Sequence, residues 1–337
     1  MKFKVGLVGF GYIGYHHYNA ILKLSSNFTL TTIFEKNLLL KKRNKLSKKI
    51  NIFSTFTKKN IPDDLDILII TAPTNLHVKF GKIAIEKVKT VIIEKPLGIE
   101  LRDAEKLINH AQKLKKKVIV VKQMRLNPYF IQLKKIVEKK ILGKIHLISI
   151  DIFLNRSKKY FSSSNWKGIK KYDGGTLFNQ ICHHIDILYW IFGKLKYSSG
   201  NKISLDKKKN EHSGNLSLLF ANKIFTSINY SIKSYKNNLN TKMTIISENA
   251  AIELYPNDLL IKNSTPQVKK YIEGRKLNLF NDMNYYGKGF ERFYAEVYKL
   301  LSKRKHNSSN ISFNKDAISS FKNLIKINNT MKVIYND

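Results

Sequence analysis

The chain contains a single cysteine, Cys182, among its 337 residues. It can build neither an intramolecular disulfide nor a thiolate metal cluster, and a reducing, cytoplasmic compartment suits it. Arginine is scarce as well: positions 43, 102, 125, 156, 275, 292 and 304 are seven of the 61 basic residues, set against 24 acidic ones. The formal net charge of +37 first suggests a nucleic-acid partner. Recognition of phosphates and base edges favours arginine, however, and the lysines are spread along the chain instead of being gathered in one arm, so no nucleic-acid partner is expected. Lys, Asn and Ile share A/T-rich codons, which accounts for most of the charge; attraction of an anionic substrate is the other reading. Long apolar runs are missing too. None approaches the roughly 20 residues of a membrane span, so no membrane partner is expected. The opening Met1-Lys2-Phe3-Lys4 leads into a short apolar stretch without a small-residue cleavage site, which reads as a strand and not as a secretion signal. There is no internal repeat, no long linker and no His/Cys/Asp/Glu spacing that predicts a metal site.

What is present suits a globular chain. Hydrophobic residues make up 43% and aromatics 11%, enough for a real core, and the length fits two domains. Residues 2–8 read as a buried strand, followed by Gly9-Phe10-Gly11-Tyr12-Ile13-Gly14 and a helical stretch over 15–24. This is G-x-G-x-x-G in the strand–turn–helix setting of a dinucleotide-binding loop. The first glycine allows the tight turn, the second lets backbone approach a pyrophosphate, and the third lets helix and strand pack. The loop residues Gly9, Gly11, Tyr12, Ile13 and Gly14 would then hold the pyrophosphate at a helix N-terminus. A second strand, 28–34, ends at Glu35, placed to accept from the adenine ribose and to repel a 2′-phosphate, which favours NAD. Lys36, Lys41, Lys42 and Arg43 keep NADP open as the less favoured cofactor.

Strands at 65–70, 90–93 and 117–121 alternate with helices at 76–87 and 101–115, the pattern of a doubly wound parallel sheet. In such sheets the ligand lies beyond the carboxyl ends of the strands. Thr71, Pro73, Asn75, His77, Glu94, Lys95, Pro96 and Gln123 all fall at those ends, beside the glycine loop. The expected first domain is 1–122.

Beyond it the pattern changes. A helix at 128–140 precedes period-two alternation at 144–153, 214–220, 223–233, 241–247 and 250–254, which reads as a large, mainly antiparallel sheet with one covered face. Helices near 287–303 and 314–333 close the chain. The expected second domain, α+β in class, is 123–337, with its last helices able to pack back on the first. Between these runs, Asp173-Gly174-Gly175 opens an apolar helix to Phe192. On α-helical spacing Asn179, His183 and Asp186 share one face at i, i+4 and i+7, where a histidine can shuttle protons.

Together these residues resemble the glucose–fructose oxidoreductase/inositol dehydrogenase family (Gfo/Idh/MocA) over nearly the whole chain. The resemblance rests on the glycine loop with His17, Thr71-Ala72-Pro73-Thr74-Asn75-Leu76-His77, Glu94-Lys95-Pro96, and the glycine-led helix with His183 and Asp186. It implies an NAD-dependent oxidoreductase in which Lys95 and His183 contact the reacting hydroxyl, either being the base. His16 or His17 would line the cofactor cleft. Val121–Pro128, Asn155–Tyr160, Trp166-Lys167-Gly168, Asn179-Gln180 and Tyr286–Tyr294 are similar to one branch, the UDP-N-acetylglucosaminuronate 3-dehydrogenases of surface-polysaccharide biosynthesis, although Phe290 stands where that branch commonly has a histidine. Many polyol-oxidising relatives carry Asp where this chain has Asn179, and a neutral amide suits positioning of an anionic substrate better than assistance to a histidine. The likeness implies that Arg125, Arg156 and Tyr160 hold a uronate carboxylate or diphosphate, with Asn179 orienting the sugar and Trp166 against the cofactor. It also implies a homo-oligomer, dimer or tetramer, and leaves open a 2-oxo acid that recycles NAD. An inositol-like polyol dehydrogenase and a non-catalytic dinucleotide-binding regulator are the alternatives.

Overall fold

The computed structural model describes residues 1–36, 46–205, 207–256, 258–273, 289–302 and 310–335. The chain divides into two compact units, 1–123 with 288–321, and 124–287 with 322–337. The second unit is therefore not one continuous stretch from 123 to the end.

In the first unit, β1 (Phe3–Val8), β2 (Phe28–Phe34), β3 (Asn51–Phe53), β4 (Ile67–Ile70), β5 (Thr90–Ile93) and β6 (Lys117–Val120) form a parallel sheet in the order β6-β5-β4-β1-β2-β3. Every residue of β4 and β5 is buried, as expected of strands covered on both faces, which read as unbroken apolar runs. Helices α1 (Tyr12–Lys23), α2 (His77–Lys87) and α3 (Leu101–Lys113) connect them. Helix α1 buries Gly14, His17, Tyr18 and Ile21, the i, i+3, i+4, i+7 stripe of a core-facing helix. The strand order reverses between β1 and β4, and the glycine loop sits at that switch point. The 310-turn Thr74–Leu76 precedes α2, so the helix predicted from 76 starts at His77.

The second unit opens with α4 (Pro128–Glu138), entered through an Asn127 side-chain cap onto Tyr129 N–H. Its sheet contains β7 (Ile145–Phe153), β8 (Leu195–Ser204), β9 (Glu211–Phe220), β10 (Phe225–Ser231), β11 (Asn240–Ser247), β12 (Ala250–Tyr255) and β13 (Asp258–Ser264). Strand β15 (Met331–Tyr335) adds to β8, giving the order β13-β12-β11-β7-β10-β9-β8-β15. Two neighbour pairs, β10 with β7 and β15 with β8, are parallel and the rest antiparallel. On one face, register aligns Ile246, Leu147, Phe225, Leu219 and Tyr197 across five adjacent strands; four of these, all but Leu219, are exposed. Between β7 and β8 lie α5 (Lys158–Ser162), α6 (Lys170–Asp173), a π-helical turn over Leu177–Ile181 and α7 (Cys182–Phe192). A helix α8 (Pro266–Glu273) follows β13.

Helix α9 (Gly289–Ser302) and β14 (Ser312–Phe313) belong to the first unit, where β14 pairs antiparallel with β6. Helix α10 (Lys315–Thr330) ends three residues earlier than the pattern predicts, because Met331 begins β15. Lys41, Lys42, Arg43 and the motif residues Tyr286, Gly287 and Lys288 lie outside the described residues.

Candidate active site

The candidate residues fall into two groups, one in each unit. In the first, Gly9 has φ +91, and a Cβ there would stand 3.0 Å from the Thr71 carbonyl; only glycine takes this conformation and this approach readily. At Gly14 a Cβ would collide with the Gly9 carbonyl, whereas at Gly11 it would meet nothing within 4 Å. Gly11 is also the N-cap of α1, without a side-chain cap. Helix geometry leaves first-turn N–H groups without intrahelical acceptors, so a closed, close-packed loop frames an open anion position. Tyr12 is exposed, Ile13 is half-buried and Asn75 is exposed.

Two predicted cofactor residues work on the loop itself. The Thr71 hydroxyl donates to the carbonyls of Gly9 at 2.7 Å and Val8 at 3.1 Å. The Glu35 carboxylate accepts the Phe10 N–H at 2.6 Å. His77 is buried, with Nδ1 2.8 Å from the Pro96 carbonyl and Nε2 2.8 Å from the Ala72 carbonyl. Both its nitrogens face backbone carbonyls instead of a cofactor, and a neutral ring donates to one of the two at a time. Burial pulls its pKa down against the opposing pull of the two carbonyls. At the end of β6, Gln123 is buried and its Oε1 has no hydrogen-bond partner. A buried amide oxygen without a donor is a candidate for a ligand N–H. The open Gly11 position and this orphaned acceptor both fit a dinucleotide bound along the strand ends.

Glu94 and Lys95 follow β5, and the Lys95–Pro96 bond is cis. Glu94 is buried and accepts from His17 Nε2 at 3.0 Å and from the Lys95 N–H at 3.0 Å. Burial pushes its pKa up, but the hydrogen bond from His17, with the charge and backbone N–H of Lys95, holds the carboxyl low. Lys95 itself is half-buried. Of the two histidines expected to offer one residue to the cleft, His16 is half-buried, whereas His17 is fully buried, with Nδ1 2.6 Å from the Tyr294 hydroxyl.

In the second unit the Asp173-Gly174-Gly175 turn is clamped by two buried carboxylates. Asp173 accepts from Gly168 N–H at 2.8 Å, Gly175 N–H at 3.1 Å and Asn210 Nδ2 at 2.7 Å. Glu211, from β9, accepts the Leu177 N–H at 2.7 Å, and its backbone carbonyl accepts the Thr176 hydroxyl. Burial pushes the Glu211 pKa up. Sequence reading missed Glu211 because a lone Glu on a strand carries no motif. The clamped segment runs into the π turn, whose wider winding breaks the α period. The single face expected for Asn179, His183 and Asp186 is therefore not continuous. Asn179 Nδ2 lies 3.4 Å from Asp173 Oδ2, and its Oδ1 accepts from Gln180 at 3.1 Å. His183 is buried on α7.

Arg125 is placed differently from expectation. It is 0% exposed and donates from Nε and Nη2 to the two Asp186 oxygens at 2.8 and 2.7 Å, beneath the Trp190 ring at 5.9 Å. A guanidinium enclosed and neutralised in this way holds the fold of the unit, so it is not assigned to a substrate anion. Arg156 does sit in a half-buried polar group. Its Nη2 donates to Gln180 Oε1 at 2.7 Å, and its guanidinium lies 5.3 Å from the Tyr160 ring. The same ring lies 4.8 Å from Lys167 Nζ, which donates to the Ser163 hydroxyl at 2.9 Å. Burial alone lowers the Lys167 pKa. The half-buried Trp166 precedes it in the same unit.

His184 is buried with neither ring nitrogen partnered among the described residues, and burial pushes its pKa down to about 4. The sign follows from linkage. The unfolded chain takes up a proton near 6.5 that the folded one refuses, so stability is complete above that pH and is lost as pH falls toward about 4. The loss expected is about 3 kcal/mol. His184→Leu should flatten this part of the acid limb in urea unfolding measured from neutral pH to pH 4; an unchanged slope would assign the acid sensitivity elsewhere.

Comparison with known proteins places this geometry. The model of an oxidoreductase family with an NAD-binding Rossmann fold, GFO/IDH/MocA, matches residues 3–122, and the model of the GFO/IDH/MocA C-terminal domain matches residues 130–253. The chain belongs to the Gfo/Idh/MocA oxidoreductase family. Among curated relatives, Oxidoreductase P35 of Formosa agariphila is 26% identical over 40% of this chain and 43% of its own length. The inositol 2-dehydrogenase/D-chiro-inositol 3-dehydrogenase of Lactiplantibacillus plantarum is 23% identical over 56% of this chain and 52% of its own. The chain thus spans about half the length of the curated relatives it matches. Among solved structures, the WlbA dehydrogenase of Chromobacterium violaceum, in complex with NADH and UDP-GlcNAcA, superposes with a TM-score of 0.84 at 22% identity, covering 98% of this chain and 93% of that one. The Bordetella pertussis WlbA dehydrogenase gives 0.82 at 22% identity, covering 98% and 96%. At these identities the likeness is one of fold.

Proposed function

We propose that the protein is an NAD-dependent dehydrogenase oxidising a ring hydroxyl of an anionic sugar, with C3 of UDP-N-acetylglucosaminuronic acid, a precursor for surface polysaccharide, as the foremost substrate. The observation that carries this reading is the pair of cations, Arg156 and Lys167, on one half-buried tyrosine. Their hydrogen bonds go to neutral partners: Asn155, Asn238 and Gln180 for Arg156, and Ser163 for Lys167. Both cations lie at the same ring without an acidic partner among the described residues, and a carboxylate or diphosphate would pair with them. Asn179, anchored beside Gln180, is neutral and suits orientation of the sugar. The UDP-GlcNAcA complexes of the two WlbA dehydrogenases support the same substrate class.

Gly9, Gly11, Gly14, Thr71 and Gln123 would hold the cofactor. Bound NAD would supply the hydride acceptor. Glu35, negative beside the loop, repels a 2′-phosphate and favours NAD over NADP. Lys95 in the first unit and His183 in the second are the proposed proton-handling residues. Arg156→Gln and Lys167→Gln are each expected to raise KM about 10- to 100-fold, the loss of a charge-assisted hydrogen bond, with a smaller change in kcat. Unchanged KM in both would remove the anion role.

The exposed apolar row across β11, β7, β10, β9 and β8 supports burial against a second copy. Sedimentation of a monomer at micromolar concentration would count against it. The deciding assay mixes the protein with NAD and UDP-N-acetylglucosaminuronic acid, with and without 2-oxoglutarate, and weighs the sugar nucleotide by mass spectrometry. A product lighter by two hydrogens supports the reading. Oxidation of free inositol but not of the sugar nucleotide would transfer the assignment to a polyol.

A further inference from the structure

The first unit contains a buried chain of polar groups that the proposed chemistry does not itself use. Tyr294 on α9 reaches His17 on α1 across 277 positions of sequence, and His17 reaches Glu94 after β5. Tyr294 and His17 are each 0% exposed and Glu94 is 5%. The Phe290 ring closes over His17 edge-on at 4.6 Å, and Phe28 packs on Tyr294 at 5.5 Å. Such dry, aromatic surroundings strengthen each hydrogen bond and penalise any member left unsatisfied.

Glu94 fixes the direction of the first bond. Glu94 is held ionised, so it only accepts. His17 must therefore donate from Nε2 to Oε1; with the ring neutral, the form the relay requires, Nδ1 accepts the Tyr294 hydroxyl proton. Burial, and then the Glu94 charge, raise the Tyr294 pKa well above its usual value, which keeps that proton in place. The second Glu94 oxygen accepts the Lys95 N–H at 3.0 Å. On the other side His77 Nδ1 lies 2.8 Å from the Pro96 carbonyl. The charged and titratable groups around the Glu94 carboxylate are thus His17, Tyr294, His77 and Lys95.

We propose that Tyr294, His17 and Glu94 form a one-way hydrogen-bond relay whose task is to lock the backbone of Lys95 at the end of β5, making Tyr294 and His17 positioning residues for it. This rests on the reading of Lys95 as a proton-handling group. The relay orders the peptide from which the Lys95 side chain springs, and an error of about 1 Å in such a group can cost about 100-fold in rate.

The test compares His17→Phe, His17→Gln and Tyr294→Phe with the parent protein. The readouts are kcat and KM for UDP-N-acetylglucosaminuronic acid, NAD affinity by fluorescence without substrate, and the 15N shifts of the His17 ring in the parent. Glutamine keeps a donor near the Nε2 position; phenylalanine keeps only bulk. The expected result is a kcat about 10- to 100-fold lower for His17→Phe, largely restored in His17→Gln, with KM and NAD affinity changed less than threefold. Tyr294→Phe should lower kcat by a smaller factor in the same way. Equal losses in the Phe and Gln variants, or NAD affinity falling in step with kcat, would overturn the positioning role. The 15N spectrum should show a neutral ring protonated on Nε2; an imidazolium or the Nδ1–H form would overturn the relay. That measurement needs no substrate, so it decides the relay even if Lys95→Met leaves turnover intact and the catalytic reading of Lys95 fails.

Discussion

Lys95→Met is expected to lower the rate of hydride transfer by about 10²–10⁴, the range for removing a residue that gives or takes a proton in the transition state. Methionine preserves the length and apolar stem of the half-buried lysine while deleting its amine, so packing at the end of β5 is conserved. The Glu94 carboxylate would continue to hold the backbone N–H of residue 95, and NAD affinity should stay within a few-fold. Single-turnover NADH absorbance measures the step directly. A companion Lys95→Arg separates the two roles left open by the sequence. Arginine keeps a positive charge but gives up no proton in this range, so partial retention of rate identifies charge stabilisation, with His183 as the base, and complete loss identifies Lys95 as the base. A rate within threefold of the parent for Lys95→Met would remove this residue from the chemistry altogether.

The second large effect is on stability. Arg125 and Asp186 have side chains 0% and 2% exposed and share two hydrogen bonds. Removing one member of such a pair strands a buried charge, at a cost of about 3–5 kcal/mol. For Asp186→Ala this corresponds to a melting temperature lower by on the order of 10 °C in a unit of this size. The double variant Arg125→Met with Asp186→Leu should recover much of that loss, because replacing both charges by apolar groups removes the stranded charge along with the pair. Calorimetry of the parent, the single and the double variant makes the test. A single variant as stable as the parent would mean that Arg125 is not held as described and would return it to the list of substrate-binding candidates.

Most of the first unit was legible in sequence because its signals are local. The glycine loop needs particular residues at particular spacings, and Gly9 and Gly14 hold the conformations and close approaches that such spacing requires. Runs such as Ile67–Ile70 are apolar throughout because a doubly covered parallel strand has no solvent face. The long alternations of the second unit were legible for the converse reason. The short strands β3, β14 and β15 were missed, since two to five residues at a sheet margin carry little periodic signal. So were the longer β8 and β13, whose polar and lysine-bearing sequences Leu195–Ser204 and Asp258–Ser264 show no clean apolar alternation. The π turn at Leu177–Ile181 was read as α-helix because its apolar residues suit either winding, and it is the clamp from Asp173 and Glu211 that accompanies the wider turn.

By itself, then, the sequence determined the two-part architecture, the dinucleotide loop, the strand-end position of Glu94-Lys95-Pro96 and the family. Each depends on residue types within a few positions of one another. Tertiary structure alone decided the fates of the individual polar side chains. Arg125 is a buried partner of Asp186, His17 a link between Tyr294 and Glu94, and Lys167 a second cation on the ring that Arg156 faces. A charged or hydrogen-bonding group is defined by what lies within about 3 Å of it, and for these residues most of those neighbours come from distant parts of the chain.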